Sequence, residues 1–161
     1  MALRVELLGP LRLLVDGVPV DVPGSRRRAV LAILAMAQGR EVSRTALVDE
    51  LWPDGPPQDA AQAVQSHVSR LRRHLGPYAD RLRHRDGGYV LELGDGGLDV
   101  TDARRLADLD AAGALGLWRG DALAEFVDCP GLAVEKVALD ELRLRLRDDA
   151  TEAAVTAGTS R

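Results

Sequence analysis

Between Asp59 and Leu75 the chain reads DAAQAVQSHVSRLRRHL. Its polar side chains are amides, hydroxyls, imidazoles and guanidiniums, and no acid follows Asp59. Those groups donate to and accept from base edges and pair with phosphate oxygens. Gln62, Ser66, His67, Ser69 and Arg73 are candidates for base edges, and Arg70 and Arg72 for phosphates. Two further basic groups stand apart in sequence: Arg26, Arg27 and Arg28 in a row, and Arg83 and Arg85 two apart. A solvated helix face ordinarily mixes both signs of charge, so the bland alternative is a surface helix that happens to be basic.

These residues need elements to hold them. Val64, Val68, Leu71 and Leu75 recur at intervals of four, three and four, which is one apolar stripe at helical period. Gln62, Ser66, Ser69 and Arg73 fall on the opposite face, with Gln65 and Arg72 on one flank and His67, Arg70 and His74 on the other. Asp59 and Gln62 have capping-box spacing, and Pro56 and Pro57 close the segment before them. Upstream, Ser25 is placed to cap a helix, RRRAVLAILAMAQ, that ends at Gly39. The three arginines crowd its first turn, the unfavourable end for cations. An external anion would explain them, and so would simple solvation. Ser43 opens a second helix, RTALVDELW, closed by Pro53-Asp54-Gly55. Two helices joined by a turn, the second amphipathic and basic, fit a helix-turn-helix with a longer than minimal loop.

Strands flank these helices. LRVELLG and LRLLVDG are rich in Leu and Val, Asp16-Gly17 signals a hairpin, and Pro19 suits an edge strand. RLRHRDGGYVLEL reads as a second hairpin whose first strand is basic, turning at Asp86-Gly87-Gly88. A hairpin after a recognition helix is a wing.

The net charge is −4, but it is unevenly spread. Residues 1–90 hold 13 arginines and 10 acids, a surplus of 3, while residues 91–161 hold 8 bases and 15 acids, a deficit of 7. Screening acts over about 8 Å at physiological salt, so a basic face works locally beside an acidic one. The asymmetry predicts two parts, 1–95 and 96–161, the first folding by itself and carrying the whole basic surface. Aromatics are 3%, so the core must be aliphatic. One cysteine, Cys129, excludes an internal disulfide framework and fits a reducing compartment. The longest apolar run, Ala29 to Ala37, is too short for a membrane span, and no signal peptide is read, so a cytoplasmic location is expected.

The second half reads as helical. Leu132, Leu139, Leu142, Leu146, Ala150, Ala153 and Ala157 recur at helical spacing in one long amphipathic helix. Arg145 stands four residues from both Glu141 and Asp149 and can pair with either. Trp118 reads as a packing anchor. No nucleophile elbow, P-loop or dinucleotide fingerprint is present, and no cofactor is expected. His67 and His74 lie seven apart with no CxxC, HExxH or acidic cluster, so no metal site is read. Cys129 has no histidine near it in sequence and reads as an idle thiol, not a catalytic one. An enzyme is not indicated.

Strands, three helices and a hairpin carrying GGYVL resemble the OmpR/PhoB-type winged helix, with HVSRLRRHLG, Trp52 and RDGGYVL in the family's order. The aliphatic, arginine-rich version, opening LRVELLGPLRLLVDGVPV, is similar to the AfsR-type antibiotic regulatory proteins, the SARP family. LWRGDALAEF and ELRLRLRDDATEAAVTAG resemble the bacterial transcriptional activation domain that follows the winged helix there. The resemblance implies an α+β winged helix-turn-helix (N-terminal β-sheet, three helices, C-terminal hairpin wing) followed by an all-α, TPR-like segment. It implies a transcriptional activator of antibiotic biosynthesis genes that binds promoter direct repeats, as a possible homodimer, and contacts RNA polymerase through its sigma subunit. Gln62, His67, Ser69, Arg70, Arg72, Arg83 and Arg85 match family positions that touch DNA, although Ser69 stands where many relatives have a basic residue. Between Asp99 and Leu117 one helix, TDARRLADLD, and a small-residue stretch, AAGALG, are expected where the family has two helices. The family domain normally continues through more helix pairs than the 161 residues here hold. The alternative function is a protein-interaction module, a winged helix that no longer binds DNA and acts through the acidic half.

Overall fold

Leu3 and Val5 alternate with Arg4 and Glu6, so one face of the first strand is apolar and buried. The structure, a computed structural model, describes residues 2–159. Strand β1 (Leu3–Glu6) pairs antiparallel with β2 (Arg12–Val15), Val5 opposite Leu13, and β2 pairs with β3 (Val18–Val20). The β2–β3 turn puts Asp16 and Gly17 at φ 51° and 80°, the mirror-image turn that suits strand twist. β3, with Pro19, is the sheet edge, as expected.

Helix α1 (Ser25–Met36) buries Ala29 to Met36 without a break, so it is the central post of the core. Its start differs from expectation. Gly24, at φ 93°, is the cap residue, Ser25 is already helical, and no side chain caps the first turn. A two-residue strand, β4 (Val42–Ser43), leads into α2 (Arg44–Leu51), where Ser43 Oγ accepts from the Ala46 N–H at 3.0 Å as expected. Helix α3 (Ala60–His74) follows. Val64, Val68, Leu71 and Leu75 are all buried, each worth about 1.5–3 kcal/mol relative to exposure, which anchors the helix. The capping box is not formed. Asp59 sits at φ −105°, ψ 29° and makes no capping bond, because side-chain capping requires extended backbone there. The Gln62 amide is thereby left free.

β5 (Leu82–Arg85) and β6 (Gly88–Leu91) form the second hairpin, and β6 also pairs with β4, giving the order β4-β6-β5. A Cβ on Gly88 would lie 2.1 Å from the Val42 carbonyl oxygen, so only glycine lets β4 close onto the wing.

The second half holds one more helix than expected. α4 (Asp99–Leu106) is followed by α5 (Ala111–Leu115), because Asp110 Oδ1 accepts the Gly113 N–H at 2.9 Å and nucleates a short turn of small residues around buried Ala114. The long helix α6 (Pro130–Thr159) turns Leu132, Leu139 and Leu146 inward and half-buries Leu142 and Ala150. Its burial stops there, and residues 151–158, Ala153 and Ala157 included, are exposed. Arg145 reaches Asp149 and Asp108, both at 3.9 Å, and Glu141 is not its partner among the described residues. Trp118 is buried, as a packing anchor should be. Cys129 is buried, and that burial, with Glu50 and Asp128 nearby, pushes its thiol up to about 11, which keeps it protonated and inert.

The two halves share one hydrophobic core. Hydrogen bonds cross the seam between them, the expected boundary at residue 95. The buried Asp99 carboxylate accepts from the Leu7 and Leu8 N–H groups at 2.9–3.0 Å. Val5 N–H donates to Gly97 O at 2.8 Å, and Arg119 and Leu123 N–H donate to Leu8 O and Leu7 O at 2.7 and 3.1 Å. Gly131 N–H at the head of α6 donates to Glu50 Oε1 on α2 at 2.7 Å. The backbone after β1 thus finds its partners in residues beyond 95, which a sequence reading by local pattern cannot reveal.

Candidate nucleic-acid interface

The exposed face of α3 forms a shallow polar depression lined by Gln62, Gln65, Ser66, Ser69, Arg70 and Arg73. Ser66 and Ser69 are its short side chains, and Gln62, Gln65, Arg70 and Arg73 its long ones. None of the six makes a hydrogen bond or ion pair among the described residues. An acid-free helix with unpaired amides and guanidiniums keeps its donors and acceptors for something outside the chain.

Other predicted residues sit differently. Arg72 Nε donates to the Leu82 carbonyl at 2.7 Å, which fastens the flank of α3 to the first strand of the wing. The tie uses Nε alone, and the side chain is exposed, so its Nη groups keep the expected phosphate role open. Arg28 departs most. Its guanidinium pairs with both Glu125 oxygens, at 2.6 and 3.0 Å, and reaches the Leu11 and Val22 carbonyls at 3.2 Å. Glu125 also accepts the Leu11 N–H at 2.9 Å, and the ion pair holds Arg28 above and Glu125 below their ordinary values. Arg28 is a strut between the halves, not a free cation.

Arg26 and Arg27 remain outward. Arg26 lies over the Trp52 ring, 5.1 Å from its centroid. Arg27 Nη1 reaches Pro23 O at 3.4 Å, while its Nε is buried without a partner among the described residues. Burial and the nearby Arg70 charge lower its pKa. His67 lies off the central face of α3, half-buried toward α1, and its Nδ1 is buried without a partner among the described residues. Burial first, then Arg27, Arg26 and Arg70, depress its pKa, so the ring is held neutral. The structure therefore brings Arg26, Arg27, His67 and Arg70, from two helices, into one positive cluster at the edge of the depression.

On the wing, Arg83 pairs with Glu92 across the hairpin, and Arg85 is exposed with no partner among the described residues. His84 stacks edge-on against Tyr89 at 5.3 Å and 82°, and its Nε2 lies 3.1 Å from Arg44 Nη2 at the start of α2. Arg44 and Gln65 were missing from the sequence-derived set. Gln65 was placed on a flank, yet it lines the depression, whereas Arg44 depends on β4 pairing with the wing, which carries no local signal.

A three-stranded sheet, a helix-turn-helix and a hairpin wing define the OmpR/PhoB type of winged helix. Consistent with that, the chain matches the family "Transcriptional regulatory protein, C terminal" over residues 23–91 and "Bacterial transcriptional activator domain" over residues 96–161. It is 37% identical over 161 residues to the regulatory protein AfsR of Streptomyces coelicolor, covering 90% of this chain and 16% of that protein. It is 34% identical over 166 residues to the regulatory protein DnrI of Streptomyces peucetius, covering 88% of this chain and 61% of that one. The solved structure of Mycobacterium tuberculosis EmbR, in complex with a low-affinity phosphopeptide, matches with a TM-score of 0.81 at 30% identity, over 98% of this chain and 46% of that chain. The chain belongs to the AfsR-type, or SARP, family of transcriptional regulators. It spans less than two thirds of the length of these relatives. Among the described residues no helix is long and apolar enough to cross a membrane.

Proposed function

We propose that the chain binds double-stranded promoter DNA in a sequence-specific way and activates transcription. Helix α3 enters the major groove with Gln62, Ser66, Ser69 and Arg73 at base edges and Arg70 beside them. The cluster of Arg26, Arg27 and His67 faces a phosphate, and Arg85, with Arg83 beside it, meets the backbone or minor groove from the wing. The observation that carries the reading is the unpaired, acid-free polar face of α3. The family relationship extends it to promoter direct repeats, occupied as a homodimer, to RNA polymerase contacted through its sigma subunit, and to genes of antibiotic biosynthesis. The acidic helical half, repelled by DNA, then faces protein.

Arg73→Ala tests the reading, since Arg73 stands at the centre of the face and packs against nothing. It should weaken specific binding by about 1–3 kcal/mol and binding to random DNA by less. Both affinities are read by titration at one salt concentration. Equal losses on the two DNAs move Arg73 to a phosphate, and no preference of the wild type for any promoter fragment leaves the interaction-module reading in its place.

A further inference from the structure

We infer that Gln65 is a specificity-determining residue of α3, reading an adenine about three to four base pairs from the guanine read by Arg73. The inference rests on the DNA-binding reading above and adds to it which base pairs are read, and by which side chain.

The argument starts from the chemistry of an unpaired amide. Gln65 lines the polar depression, exposed, with no hydrogen bond among the described residues. Unlike an arginine, a glutamine gains little from a phosphate charge. Its carboxamide offers one acceptor and donors in one plane, which match the N6 amine and N7 of adenine in the major groove. A guanidinium matches the two acceptors of guanine instead. A helix that presents both types, unpaired among the described residues and lining one depression, can therefore read two kinds of base pair.

Spacing sets the register between them. Gln65 and Arg73 are eight residues apart, about 12 Å along a helix. Stacked base pairs rise about 3.4 Å each, so with α3 laid along the DNA the span covers three to four of them. Ser66 and Ser69 lie between and are the shortest side chains on the face. They let the groove floor approach the helix, so the longer arms on either side reach base edges at once. The flank that carries Gln65 is also the better held one. Two turns further along it, Arg72 is bonded to the Leu82 carbonyl of the wing at 2.7 Å. That tie adds to the buried stripe of Val64, Val68, Leu71 and Leu75 in holding the orientation of the helix that carries Gln65. Gln62, one turn before Gln65, lies nearer the centre of the face and contacts the neighbouring step.

The test is selection of binding sites by the full chain from a library of random duplexes, for the wild type, Gln65→Ala, Gln65→Arg and Arg73→Ala. The wild type should enrich a site with an adenine three to four positions from a guanine. Gln65→Ala should lower affinity for that site by about 5- to 100-fold and level the preference in the adenine column alone. Gln65→Arg should turn that column toward guanine, and Arg73→Ala should level the guanine column. Gln65 is exposed and unpaired, so these variants keep the fold, and circular dichroism checks it. A wild-type site that Gln65→Ala leaves unchanged, or weakens evenly in every column, overturns the inference while leaving DNA recognition standing. A wild type that enriches no sequence removes the DNA-binding reading itself.

Discussion

His67 is the group in the interface whose charge depends most on its surroundings. Three guanidiniums face it, Arg26 and Arg27 from α1 and Arg70 from its own helix, and no carboxylate does. Burial and those charges depress its pKa in the free protein. A phosphate set beside Arg26, Arg27 and Arg70 would offset their charges and raise that pKa, while the larger effect of burial stays. Binding then takes up a proton, in the window between the depressed value of the free protein and the higher value of the complex. Affinity should rise as pH falls through the upper value and level off below the lower one. Between about pH 8 and pH 5.5 the rise should reach about tenfold per unit of difference, and His67→Gln should remove it. Titrations at constant salt across that range decide it, and parallel curves for wild type and variant would take His67 out of the interface. The same depression destabilises the fold in acid, since the unfolded chain binds the proton more tightly.

At the scale of elements, the wing gives a sharper expectation than two equivalent arginines would. Arg83 and Arg85 share a strand face, but Arg83 is engaged by Glu92 and Arg85 is free. Arg85→Ala should lower the slope of log affinity against log salt by about 0.9, the value for one phosphate, and Arg83→Ala by less. Equal effects would mean that DNA displaces Glu92 from Arg83. The elements themselves were largely legible in the sequence. The stripe of Val64, Val68, Leu71 and Leu75, the turn at Asp16-Gly17 and the cap at Ser43 are local patterns, and each appears in the structure. What escaped was set by distant partners. Arg28 looked like a free cation because Glu125 is 97 residues away, and the Arg72 tie was hidden because its acceptor is a backbone carbonyl in the wing. Helix α5 was hidden by its composition, since AAGAL has no stripe and depends on one cap from Asp110. The capping box suggested by the spacing of Asp59 and Gln62 does not form, because the backbone at Asp59 does not allow it.

At the scale of the whole molecule, the N-terminal sheet belongs to both halves. Removing residues 96–161 strips the acceptors from the Leu7, Leu8 and Leu11 N–H groups and leaves Arg28 without Glu125. It also uncovers the apolar core that the two halves share, at about 25 cal/mol per Å² of apolar surface, and a small domain has only about 5–15 kcal/mol in total. The 1–95 fragment should therefore lack the cooperative thermal transition that circular dichroism shows for the full chain, and a sharp transition in the fragment would show the seam to be dispensable. Asp99→Ala, which removes the acceptor of Leu7 and Leu8 alone, should cost the full chain about 2–4 kcal/mol in chemical denaturation. The seam also governs how such a regulator can be rewired. A chimera joined at residue 95 would set one protein's Asp99 and Glu125 against another's strand and first helix, and would lose the ion pair across the seam unless the new first helix carries a base at the position of Arg28. The exchangeable part is smaller: the outward positions of α3 that make no hydrogen bond or ion pair among the described residues can be transplanted with the seam left whole.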